Sequence, residues 1–370
     1  MKITTLAEFE TAYREGLDIP LPGRSWRTVT EEWLQRFGDG AGDYNPLFRD
    51  PRYAEKSRYG ALVASPAFLF SIEFGANAAI WGHIPQENIA TKDLTLLYLG
   101  SRIEWHRPVW LGDRVRGIET PEAIRRTSTR QVGEACVCTG RTDYWNARGE
   151  LIATMRTDML RFANPGRAVE AAREPGVRIA PDPLVWERER RGGEPLHWEE
   201  ARAGEPIPEL PRGTYTTTEL YLFAHAALST RRSRYVDEGT IDMGAGGRAD
   251  PDYARNNRAQ AASFDYGPQR ICWLIQAVTD WMGDHGTLLR MQARLRRPNL
   301  VGDTNTVRGT VTRVHRQDDD LLADVEVRNI NQAGAVTATG LATVRLPARG
   351  APLGPPFPEA AGERRPGLYG

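Results

Sequence analysis

The feature that most limits what this chain can fold into is an internal repeat. Residues 101–117 read SRIEWHRPVWLGDRVRG and residues 291–309 read MQARLRRPNLVGDTNTVRG. Each copy holds an alternating run, an Arg-Pro pair, three residues, Gly-Asp, and a second alternating run, which is the pattern of two strands joined by a turn. Downstream, DYWNARGELIATMRTDML (143–160) matches VRNINQAGAVTATGLATVRL (327–346), each a strand, a short turn bearing Asn and Gly, and a strand. Upstream, the segment from Asp50 to Gly75 matches the segment from Asp250 to Val278, with Asp50 paired to Asp250 and Tyr53 to Tyr253. The order of elements therefore occurs twice.

The central element of each copy reads as an apolar helix. The first opens at Ser65-Pro66, a hydroxyl N-cap followed by proline at the first helical position, and continues AFLFSIEFGANAAIW. The second opens near Gly267-Pro268 and continues QRICWLIQAVTDWMG. Both are apolar around much of their circumference, which suits a helix wrapped by a sheet. A short helix and loop, one long buried helix and then several antiparallel strands is the order of a hot-dog fold. The expected class is α+β: a double hot-dog in which antiparallel sheets wrap two long central helices, a pseudo-dimer in one chain with a continuous sheet. The expected divisions are a first unit at 1–163, a linker at 164–205 rich in Pro, Gly, Arg and Glu, a second unit at 206–348, and a Pro- and Gly-rich tail at 349–370.

Composition narrows the function. Of 370 residues, 48 are basic and 48 acidic, so the net charge of +0 removes the usual electrostatic argument for a nucleic-acid binder. No apolar run approaches the roughly 18 residues of a membrane span, and the opening MKITTLAEFETAYREG has no apolar core of a leader. The expectation is a cytoplasmic protein that touches no membrane. Cys136 and Cys138 alternate on a strand and, with Cys272, read as small buried hydrophobes, in neither a disulfide framework nor a zinc pattern. No metal or cofactor is expected.

Residues 42–54, GDYNPLFRDPRYA, followed by RYGALVASPAF at 58–68, resemble the motif of the MaoC-like and FAS1-like acyl dehydratases, which include the R-specific enoyl-CoA hydratases. The resemblance is specific in the first unit, at Asp43, Asn45, Pro46, Asp50 and Ala54, and diffuse in the second. It implies addition or removal of water across the 2,3 bond of an acyl thioester, carried by coenzyme A or an acyl-carrier protein. It implies Asp43 as the proton-transfer group and the backbone amide of Ser65 as the donor to the enolate oxygen. It also implies Asn45, Phe48 and Gly60 at the substrate, and assembly as a homodimer or with a homologous subunit. The chain departs from the pattern at Phe48, where the family has a histidine that works beside the aspartate. Asp43, Asn45 and Pro46 are also turn formers, and Asx hydrogen bonds alone would order GDYNP.

Two features of the second unit bear on the missing histidine. Aligning Phe37 with Phe223 pairs His225 with Asp39 and Ser229 with Asp43, so that unit lacks the aspartate and holds His225 as a candidate base, or as a packed or surface residue. The insertion that follows carries Arg231 and Arg234 among several arginines, a density that suits the phosphates of coenzyme A or a carrier's pantetheine, or a solvated loop. Two other functions stay open on the same fold: hydrolysis of the thioester by a carboxylate that activates water, and a non-catalytic acyl-thioester-binding subunit that needs a partner.

Overall fold

In the computed structural model the described residues are 2–23, 25–130, 132–163, 190–228, 246–258 and 260–351. The repeated turns close by the same bonds in both copies. Asp113 Oδ2 accepts the Trp110 N–H at 3.0 Å, and Asp303 Oδ2 accepts the Leu300 N–H at 2.8 Å. The intervening Gly112 and Gly302 have φ of +86° and +101°, a backbone that a side chain would strain. In the next turn Asn146 Oδ1 accepts the N–H groups of Arg148 and Glu150, and Asn331 Oδ1 those of Ala333 and Ala335. Asp50 and Asp250 each accept the N–H two residues on, capping short helices.

These turns join the strands β1 (Arg27–Thr28), β2 (Leu94–Trp105), β3 (Arg114–Thr129), β4 (Gly133–Asn146), β5 (Leu151–Ala163), β6 (Pro206–Thr214), β7 (Thr287–Leu295), β8 (Thr304–Gln317), β9 (Asp320–Asn331) and β10 (Val336–Arg345). They form one ten-stranded sheet in the order β1-β3-β4-β5-β2-β7-β10-β9-β8-β6. The two units meet where β2 pairs with β7, antiparallel, from Gly100 opposite Arg294 to Glu104 opposite Arg290. Gly100 permits that approach, since a Cβ there would lie 2.1 Å from the Ala293 carbonyl oxygen. The fold is a double hot-dog with a continuous sheet.

Around the sheet run α1 (Leu6–Arg14), α2 (Glu31–Ala41), α3 (Pro51–Glu55), α4 (Leu69–Ile72), α5 (Asn77–Trp81), α6 (Thr217–Leu228), α7 (Gly246–Ala249), α8 (Pro251–Arg258) and α9 (Gly267–Met282). The second central helix, α9, is as expected, with all of Pro268–Met282 buried. The first is not one helix. After a 3₁₀ turn at Pro66–Phe68 and the four residues of α4, the backbone leaves the helix at Glu73 and resumes at Asn77.

Tertiary contacts explain that break. Tyr144 on β4 donates its hydroxyl to the Glu73 carbonyl at 2.7 Å, and the Glu119 carboxylate from β3 accepts the Ala78 N–H at 2.7 Å. The second piece is thus capped by a carboxylate from the sheet, which satisfies an orphan donor at its start. Gly75, at φ +71°, makes the bend between the two pieces.

The units are also tied by helices. α2 and α6 cross at Gly40, where a Cβ would lie 2.4 Å from that of Ala226, and Ser71 on α4 donates its hydroxyl to the Ala226 carbonyl at 2.7 Å. The connection between the units is anchored in its described part. Arg191 Nε donates to the Trp281 carbonyl at 2.9 Å, the Asp284 N–H donates to the Gly192 carbonyl at 2.8 Å, and Leu196 is buried. Cys136, Cys138 and Cys272 are buried free thiols, as expected. Among the described residues no helix is long and apolar enough to cross a membrane.

Candidate active site at the seam of the two units

The loop after α2 is built by its own side chains. Gly42 ends the helix in the left-handed conformation at φ +66°, so the chain turns sharply into Asp43. Asp43 Oδ1 accepts the Asn45 N–H at 3.2 Å and Asn45 Oδ1 accepts the Leu47 N–H at 3.0 Å, two consecutive Asx turns. The turn-forming role of these residues is therefore real. It is not the whole of Asp43, because its other oxygen, Oδ2, accepts the Ser65 hydroxyl at 3.1 Å from across the loop.

Ser65 precedes the 3₁₀ turn at the start of the broken helix. Among the described residues its own N–H has no hydrogen-bond acceptor. The short helical run adds little dipole, so the asset here is a free donor rather than a helix terminus.

Asp43 is 3% exposed. Burial pushes its carboxyl above the usual carboxylate range, opposed by the hydrogen bonds from Asn45 and Ser65 and then by the charges of Arg190 and Arg212. Arg212 comes from β6 of the second unit. Its Nη1 donates to the Gly42 carbonyl at 3.0 Å and to Gln276 Oε1 at 3.0 Å, and its Nη2 donates to the Ala41 carbonyl at 3.2 Å. Gln276 on α9 adds a bond from Nε2 to the same Gly42 carbonyl at 3.2 Å. Through Arg212 and Gln276 the second unit holds the aspartate loop of the first.

In front of Ser65 lies a cavity of about 50 Å³, room for the centres of roughly three to five waters. The first unit lines it with Asn45, Phe48, Tyr59, Ser65, Phe68 and Trp105, and the second with Thr279, Met282, Asp284 and Leu288. The cavity lies between the units because the end of α9 meets the start of the first helix. Asp43 stands behind Ser65 and is not itself part of the wall.

Of the expected site residues, the structure brings together Asp43, Ser65, Asn45 and Phe48. Gly60 is exposed in a turn at φ +67° and next to, rather than in, the lining. His225 is exposed near the end of α6 and is not among the cavity-lining residues, so the structure does not bring it to Asp43. Arg231, Arg234 and Ser229 lie outside the described residues. Arg212, Gln276, Asp284 and Tyr53 were not singled out from the sequence as parts of the first site. They act across 170 to 234 residues of chain, and no local pattern records that.

The matching position in the second unit is filled. Asp265 there pairs with Arg270 at 2.8 Å, and the Arg248 guanidinium lies 3.8 Å from the ring centre of Tyr266, the counterpart of Ser65. A bulky ring under a cation thus stands where the first unit has a small serine.

Residues 23–155 match the FAS1-like dehydratase domain region. A UPF0336 protein of Parafrankia sp. is 33% identical over 142 residues, covering 35% of this chain and 85% of that relative. The chain belongs to the MaoC-like, FAS1-like dehydratase family. A probable enoyl-CoA hydratase alpha subunit of Thermomonospora curvata is 25% identical over 173 residues, 44% of this chain and 54% of that protein. A solved MaoC-like dehydratase shares the fold, with a TM-score of 0.66, 18% identity, and coverage of 91% of this chain and 99% of that one.

Proposed function

We propose that the protein adds water to, or removes it from, the 2,3 bond of an acyl thioester bound in the cavity between the units. The observation that carries this reading is the hydrogen bond from Ser65, which lines the cavity, to Oδ2 of buried Asp43. It links a cavity water to a carboxylate whose affinity for a proton is raised by burial. In the hydration direction the water oxygen bonds to C3 as one of its protons passes to Ser65 Oγ and the Ser65 proton passes to Asp43. The double-bond electrons move onto the thioester oxygen, where the Ser65 N–H, which has no acceptor among the described residues, can stabilise the enolate. A proton delivered to C2 completes the product. Membership of the dehydratase family and the likeness to the probable enoyl-CoA hydratase alpha subunit of Thermomonospora curvata support the substrate class.

A second reading is favoured by Phe48, which removes the usual partner base, and by the name of that relative as an alpha subunit. The chain would then bind the acyl thioester and act with a homologous subunit. The test is incubation with trans-2-enoyl-CoA thioesters while following the conjugated absorbance and free thiol. Loss of absorbance without thiol supports hydration. Thiol release points to hydrolysis, and inertness relieved by a complete homologue points to the subunit reading.

A further inference from the structure

The reaction proposed above needs a second proton-transfer group, since a proton must reach C2 while Asp43 receives one. Phe48 cannot supply it. Resting on the hydratase reading, we propose that Asp284, contributed by the second unit, is that group.

Asp284 follows Gly283, whose φ of +69° ends α9 and turns the chain back toward the first unit. It is 4% exposed and lines the cavity together with Ser65. Its Oδ2 accepts the hydroxyl of Tyr53 from α3 at 2.6 Å. Its Oδ1 is buried and, among the described residues, has no hydrogen-bond partner. A buried carboxylate oxygen without a donor is costly unless something outside the protein supplies one. The cavity offers that place to a water or to a substrate hydroxyl.

The other titratable side chains in the wall do not fit the role. Arg107 does not release its proton, and burial pushes the Tyr59 hydroxyl above its ordinary range. Asp284 is held above the usual carboxylate range by burial, while the Tyr53 hydrogen bond and then the charges of His285 and Arg58 pull it back. A fraction in the acid form is therefore available above the pH at which an exposed aspartate is ionised. In hydration the acid form gives its proton to C2 as the enolate electrons return to form the C2–H bond. The carboxylate is recharged when the proton taken up by Asp43 passes back through Ser65 and cavity water. Atoms balance as one water added. Tyr53 acts as a positioning residue through its bond to Oδ2.

The test is hydration of trans-2-butenoyl-CoA across about pH 5 to 9 by wild type, Asp43→Asn, Asp284→Asn, Asp284→Glu and Tyr53→Phe. Asp284→Asn is expected to lower kcat by about 100-fold or more with KM within about threefold, and to abolish the fall of kcat at high pH. Asp284→Glu should recover part of the rate and the high-pH limb. Tyr53→Phe, which removes a donor to the ionised form, should shift that limb to higher pH. If Asp284→Asn stays within about twofold of wild type with the limb in place while Asp43→Asn is inactive, the assignment of Asp284 is overturned and the hydratase reading stands. Full activity in Asp43→Asn, or an inert wild type, overturns that reading and this inference with it.

Discussion

Replacing Arg212 by methionine tests whether the second unit holds the aspartate loop of the first. Methionine keeps the unbranched apolar stem and removes the guanidinium, whose carbon lies 5.0 Å from the ring centre of Trp273. It removes three hydrogen bonds, to Ala41, Gly42 and Gln276. Gly42 keeps its bond from Gln276, so two acceptors, the Ala41 carbonyl and Gln276 Oε1, lose the Arg212 donor. An orphaned buried acceptor costs about 1–3 kcal/mol, and loss of a cation at a helix C-terminus about 0.3–1 kcal/mol. Relief from burying the guanidinium, whose pKa is lowered by that burial, returns part of this. A net loss of about 2–3 kcal/mol results, and with an unfolding entropy near 2.1 cal/mol/K per residue it lowers the Tm of a 370-residue chain by roughly 3–4 °C. The kinetic consequence is separate from the thermal one. Arg212 favours ionised Asp43, so its removal raises that carboxyl further and moves the low-pH limb of kcat to higher pH. Calorimetry and a pH–rate profile read the two effects. A Tm change under about 1 °C together with an unmoved limb would refute the clamp.

Other consequences follow from the same geometry. Ser65→Ala removes the hydroxyl between cavity and carboxylate and is expected to lower kcat by about 10- to 100-fold with little change in KM, read by steady-state kinetics. Because burial raises the Asp43 pKa, the stability linked to its acid form is present at low pH and lost as pH rises through the folded-state pKa; the Tm of Asp43→Asn relative to wild type should therefore climb from acid to neutral pH. Gly75→Ala places a methyl 1.9 Å from Met155 Cε and 2.9 Å from Tyr144 Oη at φ +71°, and denaturant unfolding should show a loss of about 2–4 kcal/mol.

Much of the architecture was legible because the repeat carries its bonds locally. The Asp113 and Asp303 turns, the Asn146 and Asn331 turns and the Asp50 and Asp250 caps are each closed within four residues, so their side chains announce them in the sequence. The Asp43 and Ser65 pair was legible through the family motif. The break in the first central helix was not, because an apolar run of helical period says nothing of Tyr144 and Glu119 reaching in from the sheet. The end of α9 is remote from that helix's own start, and no local pattern in Gly283–Gly286 records what it meets. The units are arranged so that this end meets the other unit's site, and the neighbouring Asp284 lines its cavity. His225 shows the reverse case. An alignment placed it near the motif, but the helical position it occupies faces solvent, as does that of its counterpart Asp39.

The most direct test of the account is the hydration of trans-2-butenoyl-CoA by pure wild-type protein and by Asp43→Asn, following conjugated thioester absorbance and free thiol together. The account predicts loss of absorbance without thiol in the wild type and, in the variant, a rate lower by about 100-fold or more. Equal rates in the two proteins, or release of thiol at the rate absorbance is lost, would contradict it.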